Sequence, residues 1–313
     1  MMGKTAFLFP GQGSQYVGMG KEFVESDQKC RELMEMAEDV SGFPLQKLCL
    51  DGSMEDLTRT LYLQPAMTVL NLICWRMVKK AGISGDYFAG HSLGEYGALC
   101  AAGVLSPKDT IALVTERGRL MERESQANPG TMHAILKLNI EQVEEIVASI
   151  TGKGVITSAN HNSEKQIVIS GESSALEAAA EVVSEKKGRA IPLPVSGAWH
   201  SPLIAGAVAD FEKAVAKADF KRPEATVFFN VTARPETDPD QIRAIMTRQI
   251  SSMVKWYDII LAMYDQGTRT FIEVGPKTVL TGLMKKILPK GHDCQCLQVD
   301  SPETLEKCLS AIS

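Results

Sequence analysis

The sequence has no run or stripe of basic residues. Its 33 Lys and Arg residues are outnumbered by 38 Asp and Glu residues, and the formal net charge is -5. Proteins that bind the nucleic-acid backbone carry clustered cations that neutralise phosphates, so we expect no nucleic-acid partner. The mild acidity leaves small molecules and other proteins as partners.

Long apolar runs are also missing. The apolar segment near the N-terminus extends only a few residues before Pro10, which is too short for the core of a signal peptide. No stretch approaches the roughly 18 consecutive apolar residues of a membrane-spanning helix. We therefore expect a cytoplasmic protein that does not span a membrane.

The cysteines do not form a disulfide or metal-binding pattern. There are seven, an odd number at scattered spacings. Cys294 and Cys296 form a lone C-x-C motif with only His292 nearby, so a structural zinc site would lack its second pair of ligands, and we expect no metal. Four others stand in apolar or helical contexts and are expected to be buried thiols: Cys30, Cys49, Cys74 and Cys100.

The 313 residues, 44% of them apolar, are enough for one large domain or a domain with an insert. Short apolar runs at 4–9 and 87–90 predict buried strands that lead into glycine-containing turns. Helix-forming stretches lie at 19–40 and 54–80, and another follows the second strand. This alternation predicts an α/β layer architecture.

The pattern changes after Gly130. Strands are predicted at 131–138, 155–160, 166–170 and 190–195, and helices at 140–150 and 173–187. This β-α-β-β-α-β order is that of a ferredoxin-like unit. An α/β pattern resumes after about residue 197, with helices predicted at 201–218, 239–253, 254–266 and 277–287 and strands at 226–230 and 269–274. We therefore predict a discontinuous large domain, 1–128 and 197–313, with a ferredoxin-like subdomain, 129–196, inserted into it.

One motif suggests a nucleophile. Gly90-His91-Ser92-Leu93-Gly94 matches G-x-S-x-G, the nucleophile elbow of hydrolase-like enzymes. The strand-to-helix turn is so tight that side chains at the two flanking positions would clash, which is why glycine stands there. The serine hydroxyl is exposed, and the N–H of the next residue points towards any oxyanion that forms. The motif alone is weak, but the predicted strand before it and helix after it favour this interpretation.

A serine nucleophile needs a base, most often histidine. Of the five histidines, His91 lies inside the elbow and should point away from the hydroxyl, whereas His133 and His161 lie in the predicted small subdomain. His200 lies in a loop closed by Pro202, a suitable place for a directed side chain. His292 is late in the chain, as in many α/β-hydrolases. The residues alone leave His200 and His292 as alternatives.

Several segments, in order along nearly the whole chain, together resemble the malonyl-CoA:acyl carrier protein transacylase family of fatty acid and polyketide synthesis. They are Phe9-Pro10-Gly11-Gln12-Gly13-Ser14-Gln15, Gly90-His91-Ser92-Leu93-Gly94-Glu95-Tyr96, Arg117-Gly118, Asn160 with Asn162, Gln166-Ile167-Val168, 195–200, Phe229-Asn230-Val231-Thr232 and Glu273-Val274-Gly275-Pro276. The family fold is a hydrolase-like α/β core with a parallel sheet and an inserted ferredoxin-like subdomain, which agrees with the predicted element order.

The resemblance implies a role for individual residues. Ser92 is the nucleophile and His200 its general base, which decides against His292. Gln12 and Leu93 contribute backbone N–H groups to the oxyanion hole, and Gly11 and Gly13 allow the Gln12 loop a close approach. Gln249 occupies the position that orients the histidine, where a neutral acceptor replaces the carboxylate of a full triad.

The resemblance also implies the substrate. Arg117 is expected to pair with the free carboxylate of a malonyl group, which a guanidinium fits through two parallel hydrogen bonds. Composition alone would make it a surface arginine on a helix face rich in Glu and Arg. His91 and Trp199 are expected to contact the acyl group, and the large indole should disfavour an α-methyl branch. His133 is expected to be structural.

These roles imply an acyltransferase with a ping-pong reaction. Malonyl-CoA would acylate Ser92, and the phosphopantetheine thiol of an acyl carrier protein would accept the malonyl group. CoA is then a substrate, no cofactor is required, and we expect a monomer. The alternatives are an acyl hydrolase or another acyl-CoA transacylase with the same Ser–His pair, a non-catalytic carrier-docking protein, and a generic esterase. Arg117 argues against the hydrolase and the other transacylase. The intact site residues argue against a non-catalytic protein, and the early glycine loop argues against an esterase.

Overall fold

The computed structural model describes residues 3–150 and 152–312. Its strands are β1 (Lys4–Phe9), β2 (Tyr87–Gly90), β3 (Thr131–Leu136), β4 (Ile156–Ser163), β5 (Gln166–Gly171), β6 (Arg189–Pro192), β7 (Thr226–Val227), β8 (Thr268–Val274) and β9 (Gln295–Val299). Its helices are α1 (Lys21–Ser26), α2 (Gln28–Ser41), α3 (Leu45–Asp51), α4 (Met54–Thr58), α5 (Thr60–Lys80), α6 (Gly94–Ala101), α7 (Pro107–Ala127), α8 (Ile140–Ser149), α9 (Ser173–Glu185), α10 (Val208–Val215), α11 (Pro239–Gln249), α12 (Trp256–Asp265), α13 (Val279–Ile287) and α14 (Pro302–Ile312).

The first sheet has the strand order β7-β2-β1-β8-β9, and every neighbouring pair in it is parallel. The central strand β1 is buried on both faces. Phe7 and Phe9 pack on one side in the main core, whereas Ala6 and Leu8 pack on the other side in a second core. A parallel sheet covered by helices on both faces requires such continuous apolar strands. The predicted α/β fold with a parallel sheet is confirmed.

The register of this sheet positions the site. Phe9, the last residue of β1, pairs with Gly90, the last residue of β2. The carboxyl ends of neighbouring parallel strands open into the same crevice, which is where α/β folds bind ligands. The glycine loop after β1 and the serine turn after β2 therefore lie side by side.

The second sheet is antiparallel, with the order β4-β5-β3-β6, and its elements follow one another as β-α-β-β-α-β. One face carries Ile135, Ile167 and Ile169, which pack against the apolar faces of α8 and α9. The other face carries Met132, Ala134 and Val168, which join the main core of the molecule. Strand alternation thus gives the second sheet one helix-covered face and one face directed at the first unit.

Several element boundaries differ from the predictions. The stretch 19–40 forms two helices, because the Asp27 side chain accepts the N–H groups of Lys29 and Cys30 and starts α2 there. The stretch 54–80 is likewise divided, at Arg59.

Other differences lie further along the chain. The predicted 201–218 helix begins as a 3₁₀ helix, Pro202–Ala207, and the predicted 226–230 strand ends at Val227. Residues 161–163, predicted to be a loop, belong to β4. Strand β9 and helices α3 and α14 were not predicted. Cys30, Cys49 and Cys74 are buried as predicted, whereas Cys100 is only half-buried.

In the described ranges, no helix is both long enough and apolar enough to cross a bilayer.

Candidate active site

Ser92 stands at the turn between β2 and α6, with a backbone φ of 51°. A Cβ atom at Gly90 would lie 1.9 Å from the carbonyl carbon of Gly94, and one at Gly94 would lie 1.9 Å from the carbonyl oxygen of Phe9. Both distances are far below van der Waals contact. The two glycines of the motif are therefore required by the tightness of the turn, and the turn holds the serine in a strained left-handed conformation.

Asn230 fixes this turn from the neighbouring segment after β7. Its Oδ1 accepts the Ser92 N–H at 2.7 Å, and its Nδ2 donates to the Gly90 carbonyl oxygen at 2.7 Å. It is fully buried. One side chain thus satisfies a donor and an acceptor that the turn leaves unpaired, as buried backbone groups require. Asn230 lies in one of the segments that resemble the family, but no role was predicted for it.

His200 approaches the serine from the loop before the 3₁₀ helix. Its Nε2 lies 2.7 Å from Ser92 Oγ, and its Nδ1 lies 3.2 Å from the backbone carbonyl oxygen of Gln249. A carbonyl oxygen can only accept, so the proton of the neutral ring is on Nδ1 and Nε2 is free to accept the serine proton. The structure brings the predicted pair together in the geometry of a nucleophile and its base.

Gln249 orients the histidine through its main chain. The resemblance implied a neutral acceptor in place of a triad carboxylate, and the atom that lies at this position is the Gln249 backbone oxygen. The side chain points elsewhere, and its Nε2 donates to the Ser92 carbonyl oxygen at 2.8 Å and to Glu95 Oε2 at 2.9 Å. Gln249 is the last residue of α11, which places its backbone oxygen beside the histidine.

Burial keeps His200 neutral. Its side chain is buried, and desolvation, with the positive charge of Arg117 and the proximity of His91, lowers its pKa to about 3. The imidazole is therefore a free base throughout the physiological range.

Arg117 extends from α7 to the serine. It is 1% exposed, and its Nη2 lies 3.3 Å from Ser92 Oγ. Nη1 donates to Gln64 Oε1 at 2.9 Å and Nη2 to Gln249 Oε1 at 3.1 Å. Within the described residues its Nε has no hydrogen-bond partner. A surface arginine, the alternative that composition favoured, is excluded, and a buried cation faces Ser92.

Glu95 is a buried carboxyl group beneath the elbow. Its Oε1 accepts the Asn230 N–H at 2.7 Å and its Oε2 accepts Gln249 Nε2 at 2.9 Å. Burial raises its pKa to about 8, although these hydrogen bonds and Arg117 act in the opposite direction. No role was predicted for Glu95 from the sequence. The only signal was its position in the elbow motif, since its partners are more than 130 residues away.

A cavity of about 530 Å³ opens in front of Ser92, between the crevice of the parallel sheet and the second sheet. Gln12 and Leu93 line it, and no described residue accepts a hydrogen bond from the N–H of either. The backbone approach is close, because a Cβ atom at Gly11 would lie 2.6 Å from the His91 carbonyl oxygen. The free donors and the nucleophile thus face one space, of a size suited to a ligand.

His91 and Trp199 also line this cavity. As predicted, His91 diverges from the hydroxyl: its Nε2 lies 2.7 Å from Asn162 Oδ1, and its ring packs edge-on against Trp256. Trp199 is 4% exposed and belongs to the main core.

The remaining histidines lie elsewhere. His292 is half-buried, its Nδ1 accepts the Cys294 N–H, and it is not among the residues that line the Ser92 cavity. His161 contacts Asp258 and Tyr257. His133 is not in the cavity lining, unlike its neighbours Met132 and Ala134 on the opposite face of β3. Among residues 3–150 and 152–312, no three His, Cys, Asp or Glu side chains are arranged to hold a metal ion.

Comparisons with known proteins show the family of this chain. Residues 6–299 match the model of the family described as "Acyl transferase domain". A malonyl CoA-acyl carrier protein transacylase of Bacillus subtilis (strain 168) is 38% identical over 313 residues, which cover 99% of this chain and 98% of the relative. A polyketide biosynthesis malonyl CoA-acyl carrier protein transacylase of Bacillus velezensis is 39% identical over 284 residues, 90% of this chain and 96% of the relative.

Among solved structures, an acyl carrier protein S-malonyltransferase from Vibrio cholerae is similar, with a TM-score of 0.93 and 37% identity. The alignment covers 97% of this chain and 99% of that chain. Similarity of sequence and fold over nearly the full length of both chains, together with the family match, confirms the resemblance. The chain therefore belongs to the acyl transferase domain family.

Proposed function

We propose that this chain is an acyltransferase that moves a malonyl group from malonyl-CoA to the phosphopantetheine thiol of an acyl carrier protein, through an acyl-Ser92 intermediate. The observation that carries the proposal is the buried guanidinium of Arg117, 3.3 Å from the nucleophile. Burying a guanidinium is costly, and an acyl group that brings its own carboxylate compensates the charge.

In the first half-reaction, His200 Nε2 takes the proton of Ser92 Oγ as the oxygen attacks the malonyl thioester carbonyl. The negative charge develops on the former carbonyl oxygen, to which the free N–H groups of Gln12 and Leu93 donate. When the C–S bond breaks, the CoA sulfur leaves with the proton from His200. The Gln249 carbonyl oxygen stabilises the transient imidazolium through Nδ1.

In the second half-reaction, the carrier thiol enters the position that CoA left. His200 takes its proton, the sulfur attacks the acyl-serine, and the C–O bond to Ser92 breaks as the serine oxygen recovers the proton. Arg117 holds the malonyl carboxylate through both steps. A held acyl group is presented in one orientation to the thiol, which favours transfer over attack by water.

We also propose how the domains divide the chain. Residues 1–128 and 197–313 form the catalytic domain and 129–196 an inserted subdomain whose inner face closes the acyl cavity. His91 and Trp199 shape that cavity. The enzyme acts as a cytoplasmic monomer. It uses no cofactor, because CoA enters and leaves as a substrate.

The test is intact-protein mass spectrometry after brief mixing with malonyl-CoA and then with phosphopantetheinylated acyl carrier protein. A malonyl adduct that is absent in Ser92→Ala and that moves to the carrier supports the proposal. An adduct that decays to free malonate while the carrier stays unmodified would identify a hydrolase. The absence of any adduct would favour a non-catalytic carrier-docking protein.

A further inference from the structure

Arg117 and the Glu95 carboxyl group lie in the same buried site, yet Arg117 donates to the uncharged side chains of Gln64, Ser92 and Gln249. The Gln249 side chain stands between the guanidinium and the carboxyl group. Its Oε1 accepts from Arg117 and its Nε2 donates to Glu95. A direct Arg–carboxylate pair would occupy the guanidinium edge with which a substrate carboxylate must pair.

The donors and acceptors in this network allow one orientation of the amide. Two acceptors, the Ser92 carbonyl oxygen and Glu95 Oε2, face Gln249 Nε2. A donor, Arg117 Nη2, faces its Oε1. The other Glu95 oxygen is held by the Asn230 N–H, a backbone donor that cannot turn over. Glu95 therefore supplies one acceptor oxygen to each of two donors, the Asn230 N–H and Gln249 Nε2.

From this network we propose that Glu95 is a positioning residue which, through the Gln249 side chain, fixes the orientation of Arg117 and so determines the preference for an acyl group that carries a carboxylate. This inference rests on the proposed malonyl transfer. Gln249 then has two separate roles: its backbone oxygen orients His200, and its side chain orients Arg117.

An amide cannot replace Glu95 in this role. Glutamine has one acceptor oxygen, which the immobile Asn230 N–H takes, and its NH₂ group then faces Gln249 Nε2, another donor. Gln249 loses one of the two acceptors that orient its amide, and Arg117 loses a fixed partner. The contact between His200 and the Gln249 backbone oxygen does not involve these atoms, so the loss of activity should be larger with malonyl-CoA than with a neutral acyl-CoA.

The experiment compares acylation of Ser92 by malonyl-CoA and by acetyl-CoA in wild type, Glu95→Gln, Gln249→Met and the double variant, each checked for folding by thermal melting. We expect Glu95→Gln to lower the ratio of malonyl to acetyl kcat/KM about tenfold, mainly through a higher KM for malonyl-CoA, because a contact made in both ground and transition states affects KM. Gln249→Met, which keeps the backbone oxygen, should lower the ratio at least as much. Because both act through one amide, Glu95→Gln should have no further effect on the ratio in the Gln249→Met background.

Glu124→Gln is the matched control. Glu124 is also a buried glutamate, on α7 with Arg117, but its oxygens accept from Arg123 and Asn128, outside the site. We expect this variant to keep the wild-type ratio.

An unchanged ratio in a folded Glu95→Gln protein, or an equal loss with both substrates, would overturn the inference, as would additive effects in the double variant. If Glu95→Gln does not fold, Gln249→Glu provides the test. A carboxylate placed against Arg117 should compete with malonyl and lower the ratio, and an unchanged ratio would count against the inference. Failure of the wild-type protein to take up malonyl at all would instead reject the proposed function.

Discussion

Replacing Arg117 with alanine tests the substrate assignment most directly. Nε and Nη2 lie on one edge of the guanidinium; Nε is without a partner among the described residues, and Nη2 reaches Ser92 Oγ. A malonyl carboxylate can accept from both, and a hydrogen bond to a charged group contributes about 1.5–3 kcal/mol. Two that share one carboxylate should contribute about 3–4 kcal/mol in all, which corresponds to a factor of roughly 10²–10³ in kcat/KM.

The assay is quench-flow acylation of Ser92 followed by intact-protein mass spectrometry, with malonyl-CoA and acetyl-CoA as alternative donors. We expect Arg117→Ala to lose that factor with malonyl-CoA and to change little with acetyl-CoA, because the nucleophile, base and oxyanion donors remain. Arg119→Ala is the control: it lies on the same helix, but it is exposed and ion-paired with Glu116. A loss of equal size with both donors would show that Arg117 supports the site as a whole and would refute the carboxylate role.

Three further predictions concern the elbow, the base and a second buried carboxyl group. Gly94→Ala should lower the free energy of unfolding in urea by about 3 kcal/mol or more, because the added Cβ would meet the Phe9 carbonyl. The control is Gly282→Ala, where the Cβ enters open space inside α13, and it should raise the free energy of unfolding by about 0.5–1 kcal/mol, because glycine is unfavourable within a helix. With the pKa of His200 at about 3, acylation at pH 5.5 should stay within twofold of its rate at pH 7.5, whereas a base with an ordinary pKa near 6.5 would lose about tenfold. Burial raises the pKa of Glu273 to about 7, so between pH 4.5 and 7 the folded state holds a proton that the unfolded state has lost. The stabilisation that this proton gives the folded state, about 3 kcal/mol, should disappear as the pH rises from 4.5 to 7. Glu273→Gln should flatten that part of the pH dependence of urea unfolding. The first prediction is contradicted if Gly94→Ala is as stable as wild type, and the second if acylation is tenfold slower at pH 5.5. The third is contradicted if Glu273→Gln leaves the pH dependence of stability unchanged.

Local features of the fold were predictable. The elbow motif specifies its own geometry, since the clashes that require Gly90 and Gly94 involve the turn itself and the adjacent strand end. Element boundaries were less predictable. The break at Asp27 depends on a side-chain cap, and residues 161–163 form a strand because they pair with β5 and with Val254, which no local pattern indicates.

The sequence by itself determined the α/β order of elements, and it predicted the nucleophile and, through the resemblance, the base and the arginine. These properties depend on short motifs whose meaning is local or shared by a family. Only the tertiary structure decided which atoms act: that His200 is oriented by the Gln249 main chain, and that Glu95, Asn230 and Gln249 form one buried network around Ser92 and Arg117. These partners are far apart in the chain, and hydrogen-bond direction is defined only once the strands and helices that carry them are packed together.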